Sequence, residues 1–311
     1  MKESLVSVII PTYKTNRSLK RAIESTLNQS YSNIEVIVVD DNDPNSEYRK
    51  VSRDIVSNYK KIRYIQHENN YNGAKARNTG FKYSKGDLIC FLDDDDLFIE
   101  TKIEDQVAFL QTNKEYEGVY SWRYAKHSNK IVKYSKTGDL THDILKLKSR
   151  ARTSTLMITR FAFEEIDGFD ESFQRHQDLE FMIRFCQHHK LGVVEKPLVK
   201  VFNNDVVNTL SGKKLEALKV QFLSKFDSII NEISKENESF KKEVYAVHFS
   251  SVFLSYLKNN EFRNALRILV SNLRVSGFFF IRELFRLMIR FIVVRVMILL
   301  NKKDGYDNER V

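Results

Sequence analysis

The sequence predicts an α/β fold: a mixed central sheet flanked by helices, with an α-helical carboxy-terminal appendage. Three observations carry that expectation. Apolar runs of strand length recur at 5–10, 34–39 and 88–92. Helical periodicity fills the interval between the first two, which makes a βαβ crossover with a parallel pair. Each run ends in polar or acidic residues: Pro11-Thr12-Tyr13, Asp40-Asp41, and the four consecutive aspartates Asp93 to Asp96. Parallel strands bring such ends to one sheet edge, the carboxyl edge, where open α/β folds bind ligands.

Taken in order, Leu5 to Ile10 is a continuous apolar strand expected to stop at Pro11, which cannot extend a central strand. Asn16 or Ser18 can cap a helix in which Leu19, Ala22, Ile23, Thr26 and Leu27 recur at three and four residues. Ile34 to Val39 is a second buried-type strand and Ile62 to Gln66 a third. Asn72-Gly73 marks a turn before a short helix, Ala74 to Lys82, with Lys75, Arg77 and Asn78 near its start. Leu88 to Leu92 feeds the aspartate run, and a helix is expected over Glu100 to Gln111. Glu117 to Tyr124 suits a strand carrying Trp122, the single tryptophan, which reads as a core residue or a stacking platform. Ala151 to Thr159 is a polar entrance, with Arg152, Thr153 and Ser154 available to a ligand, followed by a strand. A helix starting near Gln177 should bury Leu179, Met182, Ile183 and Cys186. Lys213 to Ile233, Phe240 to Lys258 and Glu261 to Val275 read as helices of the appendage. The expected domain plan is therefore 1–210, 211–275 and 276–311.

A chain of 311 residues with 42% apolar and 12% aromatic residues holds a packed core, which excludes wholesale disorder. Its formal charge of +9, concentrated late in the chain, points to an anionic surface as partner. Nucleic acid is the weaker choice, because the basic residues interleave with aliphatic ones rather than with stacking aromatics. Cys90 and Cys186 lie far apart with no metal spacing and read as reduced core residues of a cytosolic protein. The opening MKESLVSVII runs straight into a strand, so no secretory signal is expected, and no apolar run is long enough to span a bilayer.

The chemistry resides in the carboxylates. Four adjacent aspartates repel one another unless a cation, an arginine or water offsets them. Hard divalent cations, Mn²⁺ or Mg²⁺, favour such oxygens and share their shell with substrate phosphates. The plainer alternative is a solvated loop in which Asp95 or Asp96 caps the following helix. Asp40 to Asp43 could equally be a polar turn, and Lys75 and Arg77 solvated helix charges. Neither GxGxxG nor GxxxxGKS occurs, which weighs against a dinucleotide dehydrogenase or a P-loop enzyme. Nucleotidyl transfer would need a glycine-rich basic loop that IPTYKTNRS lacks, and a non-catalytic membrane scaffold with a vestigial pocket is a further alternative.

The succession VSVIIPTY, IEVIVVDDND, GAKARNTGF and GDLICFLDDDD resembles the nucleotide-binding half of family 2 glycosyltransferases of the GT-A fold, the inverting, bacterial polysaccharide type. DGFDESFQRHQDLEFMIR resembles that family's acceptor-side motif, and the resemblance covers residues 5 to 205. It implies that Tyr13, beside Pro11 and Thr12, lines the base pocket, that Asp41 accepts a hydrogen bond from the base imide, and that Asp40 supports that loop. Asp93 and Asp95 would form a DXD motif, with Asp95 on Mn²⁺ or Mg²⁺ and Asp93 or Asp94 reaching the ribose or the metal shell. Arg77 would brace the acidic edge or the pyrophosphate, and Asp178 would be the general base. The implied donor is a nucleoside-diphosphate sugar, a UDP-sugar before dTDP or GDP, and the acceptor a glycan or lipid-linked sugar. One departure is Gln177-Asp178 where many relatives carry Glu-Asp. His176 beside it could assist metal or acceptor or be a loop residue; His142 reads as a capping or surface residue.

Gly277 to Leu300 is basic and amphipathic. Arg282, Arg286 and Arg290 share one stripe amid phenylalanines and branched aliphatics. The expectation is peripheral association of 276–300 with the inner face of the cell membrane, a core helix or oligomer contact being the alternative.

Overall fold

The computed structural model describes residues 3–14, 18–125, 128–202, 210 and 212–289. The chain divides into two compact units, 1–208 and 209–311. In the first, the elements run β1 (Val6–Thr12), α1 (Ser18–Leu27), β2 (Ile34–Asp40), α2 (Glu47–Ser57), β3 (Ile62–Gln66), α3 (Gly73–Lys82), β4 (Leu88–Phe91) and β5 (Leu97–Phe98). They continue as α4 (Lys102–Thr112), β6 (Gly118–Tyr124), β7 (Ile131–Val132), α5 (Thr141–Leu145), a 3₁₀ turn at Thr153–Thr155, β8 (Met157–Thr159), α6 (Arg160–Glu165), α7 (Gln177–His188) and β9 (Leu191–Lys200).

These strands form one sheet in the order β3-β2-β1-β4-β8-β6-β9-β5, with β7 beside β6. β1 to β4 are mutually parallel, β8 is antiparallel to both β4 and β6, and β9 is parallel to β6. The carboxyl ends of β2, β1, β4 and β6 therefore share one edge, joined there by the turn that enters β8. Val8, Ile9, Ile10, Ile37, Val38, Ile89, Cys90 and Phe91 are all fully buried, as unbroken apolar runs of central parallel strands should be.

Several expectations are corrected. β1 does not stop at Pro11 but runs through it to Thr12. In this strand the even residues bond toward β2, as Asp41 N to Thr12 O does at 2.9 Å, and the odd ones toward β4, as Leu92 N to Ile9 O does at 3.0 Å. Pairing with β4 has ended before Pro11, so the missing N–H faces no partner strand. Neither Asp95 nor Asp96 caps α4, whose flanking residue is Thr101. Asn72 is a helix cap, its side chain accepting from Lys75 N at 2.9 Å, and Ser18 lies within α1; Asn16 falls outside the described residues. Leu179 is half-buried, and Glu180, Phe181 and Phe185 join Met182, Ile183 and Cys186 on the inner face of α7. α2 and β9 are additional elements.

The second unit holds α8 (Gly212–Lys225), α9 (Asp227–Glu236), α10 (Phe240–Lys258), α11 (Phe262–Ser276) and a helical stretch at 278–289. The helix expected over 213–233 is broken at Phe226, which turns its buried ring inward against Phe222. Glu216 of α8 accepts from Tyr256 of α10 at 2.5 Å and from Arg267 of α11 at 2.6 and 2.9 Å, tying three helices together. Gly277 takes φ +51, a left-handed break that ends α11. Phe280 is fully buried against Phe253, so the basic amphipathic segment begins with a core residue of this unit. Arg290 and the rest of the segment to 300 lie outside the described residues.

Candidate active site

At the β2 end of the edge two adjacent aspartates have different surroundings. Asp40 is fully buried: one oxygen accepts from Asn42 N and Nδ2 at 2.9 and 2.8 Å, the other from the Tyr64 hydroxyl, and Arg49 Nε lies 3.3 Å away. It has no access to a ligand and works as scaffold. Asp41 takes His67 Nδ1 at 2.7 Å and Tyr71 N at 3.0 Å on one oxygen, and Asn70 Nδ2 at 2.8 Å on the other. A carboxylate offers about four lone-pair sites, so these three leave room for one further donor. His67 Nε2 reaches Thr79 Oγ1 of α3 at 2.9 Å, which locks the β2 loop to that helix. Tyr13 is 39% exposed at the same edge, and Lys14 N donates to Asn42 Oδ1 at 2.6 Å.

The four aspartates after β4 point to different partners. Asp96 N closes a tight turn on Asp93 O at 2.9 Å, which splays the side chains. Asp94 Oδ2 accepts from the Thr12 hydroxyl at 2.6 Å, and Asp93 Oδ1 from Arg77 Nη2 at 2.6 Å. Asp96 is buried, accepting from Ser154 Oγ at 2.6 Å and Phe202 N at 2.9 Å. Ser154 Oγ also accepts from Asp93 N at 3.2 Å, so the turn before β8 holds both ends of the acidic loop. Burial and then the neighbouring charge of Asp93 lift the Asp96 carboxyl well above the usual carboxylate range, against the pull of Ser154 and Phe202.

Asp93, Asp94 and Asp95 are half-buried at the edge. Among the described residues no group of three or more His, Cys, Asp or Glu side chains converges as a complete cage. Two carboxylates supplying part of an oxygen shell and leaving the rest to phosphates fit Mn²⁺ or Mg²⁺. The like-charge repulsion at this loop is what such a cation would relieve.

Arg77 links the acidic loop to the start of α7. Its Nη2 holds Asp93 while Nη1 donates to Gln177 Oε1 at 3.0 Å, and Gln177 Nε2 donates to Phe173 O at 2.7 Å. A neutral glutamine accepts this bond as a glutamate would, and leaves the guanidinium charge to Asp93. A Cβ on Gly73 would sit 3.0 Å from both Arg77 Nη1 and Gln177 Oε1, so this close approach accounts for the glycine that opens α3. Asn78 clamps the loop before α7, exchanging bonds with Phe169 N and O at 2.9 and 2.8 Å. Phe169 stacks on Phe181, ring centroids 4.3 Å apart.

Asp178 occupies the first turn of α7, where the helix dipole favours a carboxylate. Its side chain is 21% exposed, with Oδ2 3.8 Å from Arg152 Nη1. His176 precedes it in the left-handed region at φ +63. The acidic loop, Arg77, Gln177 and Asp178 are thus one continuous arrangement. Trp122 donates its Nε1 to Tyr134 O at 3.0 Å and carries Lys133 5.0 Å from its ring centre, the anchored alternative rather than a bare platform. His142 is exposed on α5. His67, Ser154 and Asp96 are organising residues whose part sequence reasoning missed; the adjacency of Asp96 to the DXD pattern was the one available signal.

A family model described as glycosyl transferase family 2 matches residues 7–167, just over half of the chain. An uncharacterized glycosyltransferase of Rickettsia typhi is 34% identical over 235 residues, 71% of this chain and 72% of that protein. The UDP-Glc:alpha-D-GlcNAc-diphosphoundecaprenol beta-1,3-glucosyltransferase WfaP of Escherichia coli is 40% identical over 114 residues, 36% of this chain and 43% of WfaP. The amylovoran biosynthesis glycosyltransferase AmsB of Erwinia amylovora is 30% identical over 201 residues, 59% of this chain and 64% of AmsB. The chain spans 29% and 34% of the length of glycosyltransferases from Rickettsia bellii and Rickettsia felis that it also matches. Among solved structures, residues 1–349 of Staphylococcus aureus TarS with UDP-GlcNAc align at TM-score 0.58 and 16% identity, over 85% of this chain and 90% of that one. The Pyrobaculum calidifontis mannosyltransferase PcManGT, in complex with GDP-Man and Mn²⁺, aligns at TM-score 0.58 and 13% identity, over 86% and 75%. These two share the fold: a mostly parallel, mixed sheet with flanking helices.

Proposed function

The chain belongs to glycosyl transferase family 2, and from that premise we propose that it is a metal-dependent, inverting transferase using a nucleoside-diphosphate sugar. The observation that carries this reading is the Arg77 bridge, which joins Asp93 on the donor side to Gln177, next to Asp178, on the acceptor side. Tyr13 packs on the base and Asp41 accepts from its imide with the lone-pair site left to it, which favours UDP over a base without that donor. Asp93 and Asp95 would hold Mn²⁺ or Mg²⁺, and Asp94, held by Thr12, would reach the ribose. The cation, when bound, supplies Lewis-acid stabilisation of the departing diphosphate.

Asp178 takes the proton of the acceptor hydroxyl as it attacks the anomeric carbon. Attack from the side opposite the leaving group inverts that centre. Arg77 keeps Asp93 from repelling the diphosphate by sharing its charge. The acceptor is a glycan or lipid-linked sugar in surface polysaccharide assembly, and the diphosphoundecaprenol-linked acceptor of WfaP supports that class. The same reading places the protein at the inner face of the membrane, held by the apolar outer faces of its carboxy-terminal helices.

Release of nucleoside diphosphate from a panel of UDP-, dTDP- and GDP-sugars with Mn²⁺ tests this. The expected result is UDP release that EDTA abolishes and Asp95→Ala lowers by about a hundredfold or more. Release unaffected by both would overturn it.

A further inference from the structure

Beyond the acidic loop, on the side away from the base pocket, the same sheet edge turns basic. Across the edge the order is β2 and β1 with Asp41 and Tyr13, then β4 with the aspartates, then the turn before β8 and the end of β6. Arg123 is the penultimate residue of β6, and Arg152 immediately precedes the turn whose Ser154 holds Asp93 and Asp96. Arg150 is two residues earlier and exposed. None of the three belongs to the donor contacts described above.

We propose that Arg123, Arg150 and Arg152 form a phosphate-recognition site on the acceptor side of the cleft, so that the acceptor is a sugar carried on a phosphate or diphosphate. This rests on the transferase reading and narrows its acceptor class. The positive charges of Arg150 and Arg152 act on Arg123, and an anion among the three would offset that repulsion. The buried Nε of Arg123 has no hydrogen-bond partner among the described residues. Burial, followed by the positive charges of Arg152 and, after the opposing Asp96, of Arg150, holds the Arg123 guanidinium below its ordinary pKa. A phosphate would give that donor an acceptor and supply the charge that the site lacks.

Arg152 fixes the placement relative to the chemistry. Its Nη1 lies 3.8 Å from Asp178 Oδ2, beyond hydrogen-bond length, and its side chain is 57% exposed. It is therefore loosely held by the base and able to swing to a bidentate contact with a phosphate, for which its planar fork is suited. An anion bound by Arg152 would therefore lie beside Asp178. A phosphate on the accepting sugar would occupy that place, whether it continues into a lipid or into a phosphorylated glycan.

Calorimetric binding of inorganic pyrophosphate to the full chain in EDTA, set against binding of UDP with Mn²⁺, tests the assignment. Expected is pyrophosphate binding that Arg123→Met and Arg152→Met each weaken at least tenfold and Arg150→Met several-fold, with UDP affinity within twofold of the unaltered chain. Arg150 and Arg152 are exposed, so their variants report on the site without disturbing the core. UDP affinity falling in step with pyrophosphate would mean that the arginines hold the donor diphosphate, and would overturn the proposal. So would an unaltered chain that binds UDP but no pyrophosphate. A chain that binds neither overturns the transferase reading as well.

Discussion

Asp93 and Asp178 approach the cleft from different elements, and Arg77 with Gln177 holds them in register. Removing Arg77 leaves Asp93 without its counter-charge and frees Gln177 at the start of α7. Arg77→Ala is expected to lower kcat by about a hundredfold, the cost of a small misplacement of reacting groups. Arg77→Lys should recover little, since one ammonium cannot span two partners. Steady-state kinetics check this, and a kcat within twofold of the unaltered chain would refute it. At this scale sequence reasoning named the carboxylates, because runs of aspartate after apolar strands stand out. The division of labour between Asp40 and Asp41 was implied by the family resemblance, but His67 and the tie from Ser154 to Asp96 could not be seen. Those follow from contacts such as His67 with Asp41 at 2.7 Å and Ser154 with Asp96 at 2.6 Å, across 26 and 58 residues of sequence.

The elements that were legible are those whose buried faces are apolar. β1, β2 and β4 are dominated by apolar residues, and their burial on both faces follows directly. α2 was not legible, because two of its three buried residues, Arg49 and Ser52, are polar and give no apolar stripe. β9 was not legible because Pro197 and Glu195-Lys196 interrupt it, and Pro197 is tolerated opposite Trp122 where the β6–β9 register shifts. α8 carries the reverse case, a charge inside the appendage. Burial pushes the Lys219 ammonium from 10.5 down to about 8. Between pH 8 and about 10.4 the unfolded chain keeps a proton that the folded chain has released, so stability rises with pH across that window; below pH 8 the penalty is constant. Lys219→Met is expected to stabilise the carboxy-terminal unit by roughly 1–3 kcal/mol at pH 7 and to flatten the rise. Urea denaturation at pH 7 and pH 10 measures both, and a less stable variant at pH 7 would contradict the assignment.

Over the whole molecule, a cleft-bearing unit is followed by a helical unit with an unusual outer surface. Phe262, Leu266 and Val270 are exposed on α11, and Phe278, Ile281, Phe285 and Met288 on the helical stretch that follows, with Arg267, Arg282 and Arg286 close in sequence. Among the described residues no helix is long and apolar enough to cross a membrane. Exposed apolar side chains beside arginines are the chemistry that an anionic lipid surface would recognise. Co-sedimentation with vesicles rich in anionic lipid is expected, lost on combining Leu266→Glu with Phe285→Glu and weakened by salt. Retention of the double variant on vesicles would remove these faces from consideration. The basic, aromatic pattern from 277 onward was legible in the sequence; that α11 exposes an apolar stripe was not, because Phe262 to Val275 also reads as an ordinary packed helix.

Calorimetry of Mn²⁺ with UDP, run beside turnover for Asp95→Ala and Asp178→Asn, tests most directly whether one cleft pairs a metal-bound donor with a separate base. Asp95→Ala should lose both metal-dependent UDP binding and turnover, whereas Asp178→Asn should bind Mn²⁺ and UDP as the unaltered chain does while turnover falls by a hundredfold or more, of the order expected for a lost general base. Undiminished UDP binding in Asp95→Ala, or full turnover in Asp178→Asn, would contradict that division of roles.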